Sequence, residues 1–272
     1  MKQYIDLLHK ILDDGEIRAD RTGVGSISVF GGQLEFDLRE RFPLVTIKKT
    51  LWKSAFIEML WFLRGESNTK YLKQHNVPIW DDWADEHGNL GPIYGVQWRH
   101  WPGKNVQDVH TEDVDQIKLL IDGIKNNPVG RRHIVTAWNP TYLSEMGLPP
   151  CHRDFHCYVS NYGHLDLMMA IRSWDTALGG PFNIAQYALL THLLARATGL
   201  KPRYLKINYG DAHIYKNHVE PIAKMLQERV PVSCDTKLVF KTENTDIDGY
   251  KPDDFDIENY QYHPFLKLPI AV

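Results

Sequence analysis

The chain reads as a single α+β domain, and three patterns carry that reading. Helical apolar stripes at residues 2–14, 52–63, 114–126, 184–198 and 214–228 are interleaved with shorter runs of strand-like alternation. Turn signals join neighbouring runs, which gives the strands an antiparallel look. No linker, internal repeat or low-complexity stretch divides residues 1–272, so these elements are expected to share one core.

Residues 2–14 place Tyr4, Ile5, Leu7, Leu8, Ile11 and Leu12 on a helical stripe that Gly15 closes. From Gly23 to Leu38 the period falls to two, with Ile27, Val29, Leu34 and Phe36 around Gly31-Gly32; two strands joined by a turn are expected. Residues 52–63 are apolar almost all round, so this helix is expected to be buried. Residues 78–101 show no clean period and carry Trp80, Trp83, Trp98 and Trp101, which reads as a loop forming a binding wall or a packing cluster. Residues 114–126 form an amphipathic helix that stops before Pro128. Strands are expected at 133–138, 155–160 and 164–171, the last two joined at Asn161-Tyr162-Gly163. Ile184 to Thr198 form a helix stopped by Gly199. Residues 204–209 and 237–240 add strands, a helix covers 214–228, and the remainder is aromatic loop.

Composition narrows the function classes. A formal net charge of −3 gives no general attraction to nucleic acid or an anionic membrane, so any anion site must come from local arginines. Cys151, Cys157 and Cys234 form no CxxC pair and no metal-ligand spacing, so neither a disulfide scaffold nor a metal centre is expected. Free thiols fit a reducing, cytoplasmic setting. The N-terminal helix carries acids inside its apolar stretch and does not read as a signal peptide. No apolar run approaches the roughly 18 residues that span a bilayer.

Chemistry concentrates around Cys151. It follows Pro149 and Pro150, whose locked φ angles restrict the approach to it, and it precedes His152. A thiolate is a strong nucleophile once its pKa is lowered, whereas most free cysteines are small buried hydrophobes. The bland reading is kept for Cys157 and Cys234. Some twenty residues on, the stretch from Arg172 to Asn183 sets a cation, a hydroxyl (Ser173), a carboxylate (Asp175) and an amide around Gly179-Gly180-Pro181. Arg131-Arg132 stand at a loop–strand junction, and Arg21 opens a Thr-Gly-x-Gly loop too short for a P-loop. Guanidinium groups bind phosphate bidentately, so these arginines suit a phosphate monoester. Glu58 lies in an apolar helix and must be paired, wet or protonated; proton handling and a structural hydrogen-bond network both fit. Asn183 stands at an expected helix N-cap, yet its amide also suits the carbonyl and N–H edge of a pyrimidine. His213 and Tyr215 would share one face of an extended segment.

With these residues assembled, the chain resembles the folate-dependent, cysteine-nucleophile thymidylate synthase family from end to end. The matching motifs include Asp20-Arg-Thr-Gly-Val-Gly25, residues 58–63 (EMLWFL), 79–85 (IWDDWAD) and 91–95 (GPIYG), Arg131-Arg132, Pro150-Cys151-His152, Arg172-Ser173, residues 180–185 (GPFNIA), Gly210-Asp211 with His213 and Tyr215, and the terminal residues 269–272. The resemblance implies a mixed sheet packed with helices, a sheet-mediated homodimer, and transfer of a one-carbon unit from 5,10-methylenetetrahydrofolate to deoxyuridine monophosphate. It implies that Cys151 adds to C6 of the pyrimidine. Arg21, Arg172 and Ser173, with Arg131 and Arg132 from the partner subunit, would hold the phosphate. Asn183 would read the uracil edge, and His213 and Tyr215 the sugar hydroxyl. Glu58 would organise proton transfers with Tyr94 and His152 nearby. Trp80, Trp83, Asp175, Phe182 and Val272 would contact folate, and Lys48 its glutamate tail. No metal, DNA or membrane partner is implied.

Four features depart from the commonest pattern of that family: Ile171 where many members have Gln, Trp174 in place of a small residue, Gly180 in place of a larger apolar one, and a charged run from Arg153 to His156. Three readings follow. Hydride quenching of the one-carbon unit gives thymidylate, a closure that Trp80 and Val272 favour. Water quenching gives a hydroxymethyl nucleotide. A non-catalytic nucleotide- or RNA-binding protein is opposed by Cys151, Glu58 and Asn183 standing together.

Overall fold

A computed structural model describes residues 1–103 and 111–270. A six-stranded sheet runs in the order β1-β2-β6-β5-β4-β3, built from Glu16–Arg18, Ser26–Asp37, Lys201–Tyr215, His164–Asp175, His152–Val159 and Ile134–Thr136 respectively. Strands β7 (Lys237–Phe240) and β8 (Phe255–Glu258) form a separate two-stranded sheet. Every pairing is antiparallel except β5 with β6. Parallel neighbours need a long crossover, here helix α6 (Gly180–Thr198).

Helix α1 (Lys2–Asp14) buries its stripe of Tyr4, Leu7, Leu8 and Ile11 against β2 and β6. Helix α2 (Trp52–Leu63) is apolar all round because it is covered all round: it packs on α6 and on the short α4 (Tyr94–Arg99), and a five-residue helix α3 (Lys70–Gln74) touches it too. Helix α5 (Gln116–Asn126) starts at Asp115, whose side chain accepts the Lys118 N–H at 2.9 Å. Helix α7 (Lys216–Glu228) follows β6 directly. No helix among the described residues is long and apolar enough to cross a membrane.

The structure shows an α+β domain with a mixed sheet, and it alters several element boundaries. Gly31-Gly32 is not a turn. One continuous strand, β2, runs through it, because the fifteen-residue β6 pairs with β2 on both sides of the glycines. Gly32 instead allows close approach: a Cβ there would lie 2.1 Å from the Tyr209 hydroxyl. Residues 78–101 contain helix α4, too short for its period to show, and the Trp98 indole is buried in the core. Helix α6 starts at Gly180, four positions before its expected start at Ile184. Strands β5 and β6 run on to Asp175 and Tyr215, beyond the stretches that alternate. The hairpin at Asn161-Tyr162-Gly163 forms, with Gly163 at φ 72°.

Helices cover one face of the sheet. On the other, the cross-strand neighbours His156, Met168 and Lys206 remain only half-buried.

Gly95 marks the tightest contact between α4 and α2, since a Cβ would sit 2.5 Å from the Phe62 carbonyl oxygen. Its neighbour Tyr94 stacks on Phe62 with ring centroids 4.7 Å apart. Gly95→Ala is therefore expected to push α4 away and to destabilise the fold by roughly 1–3 kcal/mol. Urea unfolding measures this; an unchanged midpoint would show that the two helices can separate freely.

Candidate active site

Cys151 immediately precedes β4 and is held by its backbone. Its N–H donates to the Tyr94 hydroxyl at 2.7 Å, and its carbonyl accepts the Arg172 N–H at 2.9 Å. The Arg172 guanidinium donates from Nε to the Pro150 carbonyl (2.9 Å) and from Nη2 to the Pro149 carbonyl (3.0 Å). Sequence reasoning assigned Arg172 to an anion alone; it also clamps the two prolines that lead to Cys151. Burial pushes the Cys151 thiol up, Arg172 pulls it down, Asp175 adds to the rise and Arg21 opposes it; the balance lies above the ordinary thiol value. At rest the group is a thiol.

His152 follows it as a buried ring. The imidazole is buried, with its rings' neighbours Tyr94 and Tyr187 at centroid distances of 5.4 and 5.1 Å. Burial lowers its pKa to about 4, against a weaker contribution from Asn183. The ring is therefore neutral and forms no ion pair with a thiolate.

The anion-binding candidates divide. Arg21 sits in a loop shaped by Asp20, whose carboxylate accepts the Thr22 N–H (2.9 Å) and hydroxyl (2.7 Å). Gly23 and Gly25 take φ of 75° and 78° in that loop, a region that suits glycine. Arg21 and Arg172 both act on the Cys151 thiol. Arg131 and Arg132 are exposed at the start of β3 and are not among the charges acting on that thiol within the chain.

The β5–β6 register brings four further residues to the same end. Ser173 pairs with Asp211 and Asp175 with His213, while Tyr215 closes β6 opposite Ser26 of β2. His213 Nδ1 lies 3.0 Å from Asp211 Oδ1, and its ring is 5.1 Å from that of Tyr215. Burial, followed by Asp175, pushes the Tyr215 phenol up to about 12. Asp175 Oδ1 accepts the N–H groups of Ala177 (3.1 Å) and Leu178 (3.0 Å), so this carboxylate also builds the turn into α6.

Asn183 is not an N-cap. Gly179 holds that position, and the Asn183 N–H already donates to the Gly179 carbonyl at 3.0 Å. Its side chain belongs instead to a continuous chain of hydrogen bonds. Trp174 Nε1 donates to Asn183 Oδ1 (3.0 Å), and Asn183 Nδ2 donates to Gln186 Oε1 (3.3 Å). Gln186 Nε2 donates to Glu58 Oε2, while Trp80 Nε1 donates to Glu58 Oε1 at 2.6 Å. Gln186, fully buried, was missed by sequence reasoning; a polar residue in the apolar run of α6, three positions from Asn183, was the available signal. Burial raises the Glu58 pKa to about 7, against the hydrogen bonds from Trp80 and Gln186.

Aromatic side chains wall the carboxylate. Trp80 packs on Trp61, Trp83 and Tyr94 with centroids 5.8, 5.9 and 5.9 Å away. The buried Trp83 Nε1 has no acceptor among the described residues, and Phe182 is half-buried at the start of α6. Lys48 departs from its expected place at a ligand's outer end. Its ammonium is buried and donates to the Ala177 carbonyl, and burial lowers its pKa to about 8 despite Asp175. Val272 lies outside the described residues. Among those residues, no group of three or more His, Cys, Asp or Glu is placed to hold a metal ion.

The carboxylate has a stability signature. An acid whose folded pKa exceeds its unfolded value of about 4.5 binds more protons when folded, so stability falls as pH rises from about 4.5 to about 7. The full shift corresponds to about 3 kcal/mol. Glu58→Gln is expected to remove most of this fall between pH 5 and 8, measured by urea unfolding at each pH. An equal slope in the variant would place the titration elsewhere.

A family model described as thymidylate synthase matches residues 2–272. With essentially its whole length matched, the chain belongs to the thymidylate synthase family.

Proposed function

We propose that the protein transfers a one-carbon unit from 5,10-methylenetetrahydrofolate to C5 of deoxyuridine monophosphate and reduces it, releasing thymidylate and dihydrofolate. One observation carries this reading. At one end of the sheet, a conformationally clamped thiol lies under the influence of two guanidinium groups and near an amide chained to a proton-rich carboxylate.

Arg21, Arg172 and Ser173 hold the phosphate, and His213 and Tyr215 meet the sugar hydroxyl. Cys151 gives up its thiol proton as Sγ bonds to C6 of the ring, and the π pair of the C5–C6 double bond moves towards C4 and O4. Asn183 holds the N3–O4 edge where that charge collects. Once C5 has taken up the one-carbon unit its own proton leaves, and Sγ departs from C6 with the bonding pair. Glu58, poised near neutrality, gives and takes the protons that its hydrogen-bonded chain serves. The folate supplies the carbon and the hydride. The Trp83 N–H, beside Trp80 and without an acceptor among the described residues, suits a heteroaromatic ring with acceptors on its rim. Lys48 would have to leave the Ala177 carbonyl to reach a glutamate tail.

A homodimer fits the same reading. The sheet face left without helices is where a second copy would sit, and the exposed Arg131 and Arg132 would reach the partner's phosphate site. We take the chain to be one catalytic domain over residues 1–272 working in the cytoplasm.

The test is a product analysis after incubation with deoxyuridylate and methylenetetrahydrofolate. Thymidylate with dihydrofolate is expected; a hydroxymethyl nucleotide with tetrahydrofolate would instead show that water takes the place of hydride. Cys151→Ala is expected to bind deoxyuridylate while losing roughly 10⁴-fold or more in turnover. Turnover near the parent rate in that variant would remove Cys151 as the nucleophile.

A further inference from the structure

We propose that Trp174 is a specificity-determining positioning residue: its indole N–H fixes the orientation of the Asn183 amide and so sets which pyrimidine edge the site accepts. Choosing uracil as the accepted ring rests on the function proposed above; the lock itself rests on geometry alone.

An indole nitrogen can only donate. The atom of Asn183 that lies 3.0 Å from Trp174 Nε1 must therefore be the carboxamide oxygen, whichever way the amide would otherwise turn. That choice propagates. With Oδ1 held at Trp174, Nδ2 faces Gln186 Oε1, and Gln186 Nε2 faces Glu58 Oε2. At the far end Trp80, a second donor-only group, holds the other carboxylate oxygen at 2.6 Å. Reversing Asn183 would set two donors face to face at Trp174 and two oxygens face to face at Gln186.

Trp174 itself has little freedom. It is fully buried in β5, paired with Ala212 of β6, and its ring lies 5.8 Å from that of Tyr209. Gly180 leaves the room it occupies. A Cβ at Gly180 would lie 3.4 Å from Tyr4 and 3.7 Å from Trp174 Nε1, ordinary van der Waals contact, so a side chain reaching past Cβ would compete with the indole for the space beside them. Two of the unusual residues noted in the sequence are thus one arrangement, a large donor at 174 fitted against a missing side chain at 180.

Asn183 is half-buried. With Oδ1 held at Trp174 and Nδ2 at Gln186, its acceptor and donor stand in a fixed order. Uracil presents N3–H and O4; cytosine presents N3 and an amino group, the reverse. With the ring placed by its phosphate and by Cys151, a fixed amide complements one ring and opposes the other. A freely turning amide would serve both.

Calorimetric binding of deoxyuridylate and deoxycytidylate to the full chain tests this. Trp174→Phe keeps an aromatic ring beside Tyr209 and removes the donor. The parent is expected to prefer deoxyuridylate strongly, and the variant to narrow that preference by about tenfold or more through gained deoxycytidylate binding. A purely structural loss would weaken both ligands and leave their ratio unchanged. Gly180→Leu, which keeps Trp174 and crowds the indole off the amide, is expected to narrow the ratio in the same direction. Should Trp174→Phe fold poorly, Gly180→Leu decides alone. An unchanged ratio in a folded variant overturns the lock and leaves the proposed function standing. A parent that prefers deoxycytidylate, with narrowing in the variant, overturns the uracil reading and leaves the lock.

Discussion

The parallel pairing of β5 with β6 is the constraint on which the site depends. Antiparallel neighbours bring a strand end beside a strand start; parallel neighbours bring two ends together. Because β5 and β6 run the same way, Ser173 and Asp175 finish beside Asp211 and His213. The crossover helix α6 must begin at that same end, which delivers Gly180, Phe182, Asn183 and Gln186 to the cluster. Strand β4, antiparallel to β5, starts there and brings Cys151 and His152. An antiparallel β5–β6 pair would scatter these groups over both ends of the sheet. The clamp from Arg172 to the Pro149 and Pro150 carbonyls and the bond from Cys151 N–H to Tyr94 are refinements within that arrangement.

What the sequence made legible was what is anomalous locally. A thiol after two prolines, a carboxylate inside an apolar helix and an amide after a Gly-Gly-Pro turn each stand out without a partner in view. Partners were harder to see, because they come from distant positions. Glu58 meets Gln186 across 128 residues and Trp174 meets Asn183 across nine, and neither spacing belongs to any local period. His152, next to Cys151 in sequence, is buried between Tyr94 and Tyr187 as a neutral ring, an environment that adjacency in sequence does not show. Lys48 was placed at a glutamate tail by the family resemblance alone, and the fold turns its ammonium in to the Ala177 carbonyl. Gly31-Gly32 carried a turn signal, and the long partner strand β6 overrode it.

Desolvation acts on Cys151 and Glu58 in the same direction. Burial raises both pKa values, so at rest the thiol keeps its proton and the carboxyl is proton-rich near neutrality. A phosphate on Arg21 would weaken one of the two charges that favour the thiolate. A phosphate on Arg172 would do the same to the other, although Nε and one Nη, committed to proline carbonyls, keep that guanidinium in place beside the Cys151 segment. On the proposed reading the sulfur charge does not have to reside on sulfur. It passes to the ring edge that Asn183 holds, where the amide is already polarised by Trp174 on one side and by Gln186 and Glu58 on the other. Activation of the thiol is then conditional on a ring whose edge fits. On that reading the groups that select the base would also release the nucleophile.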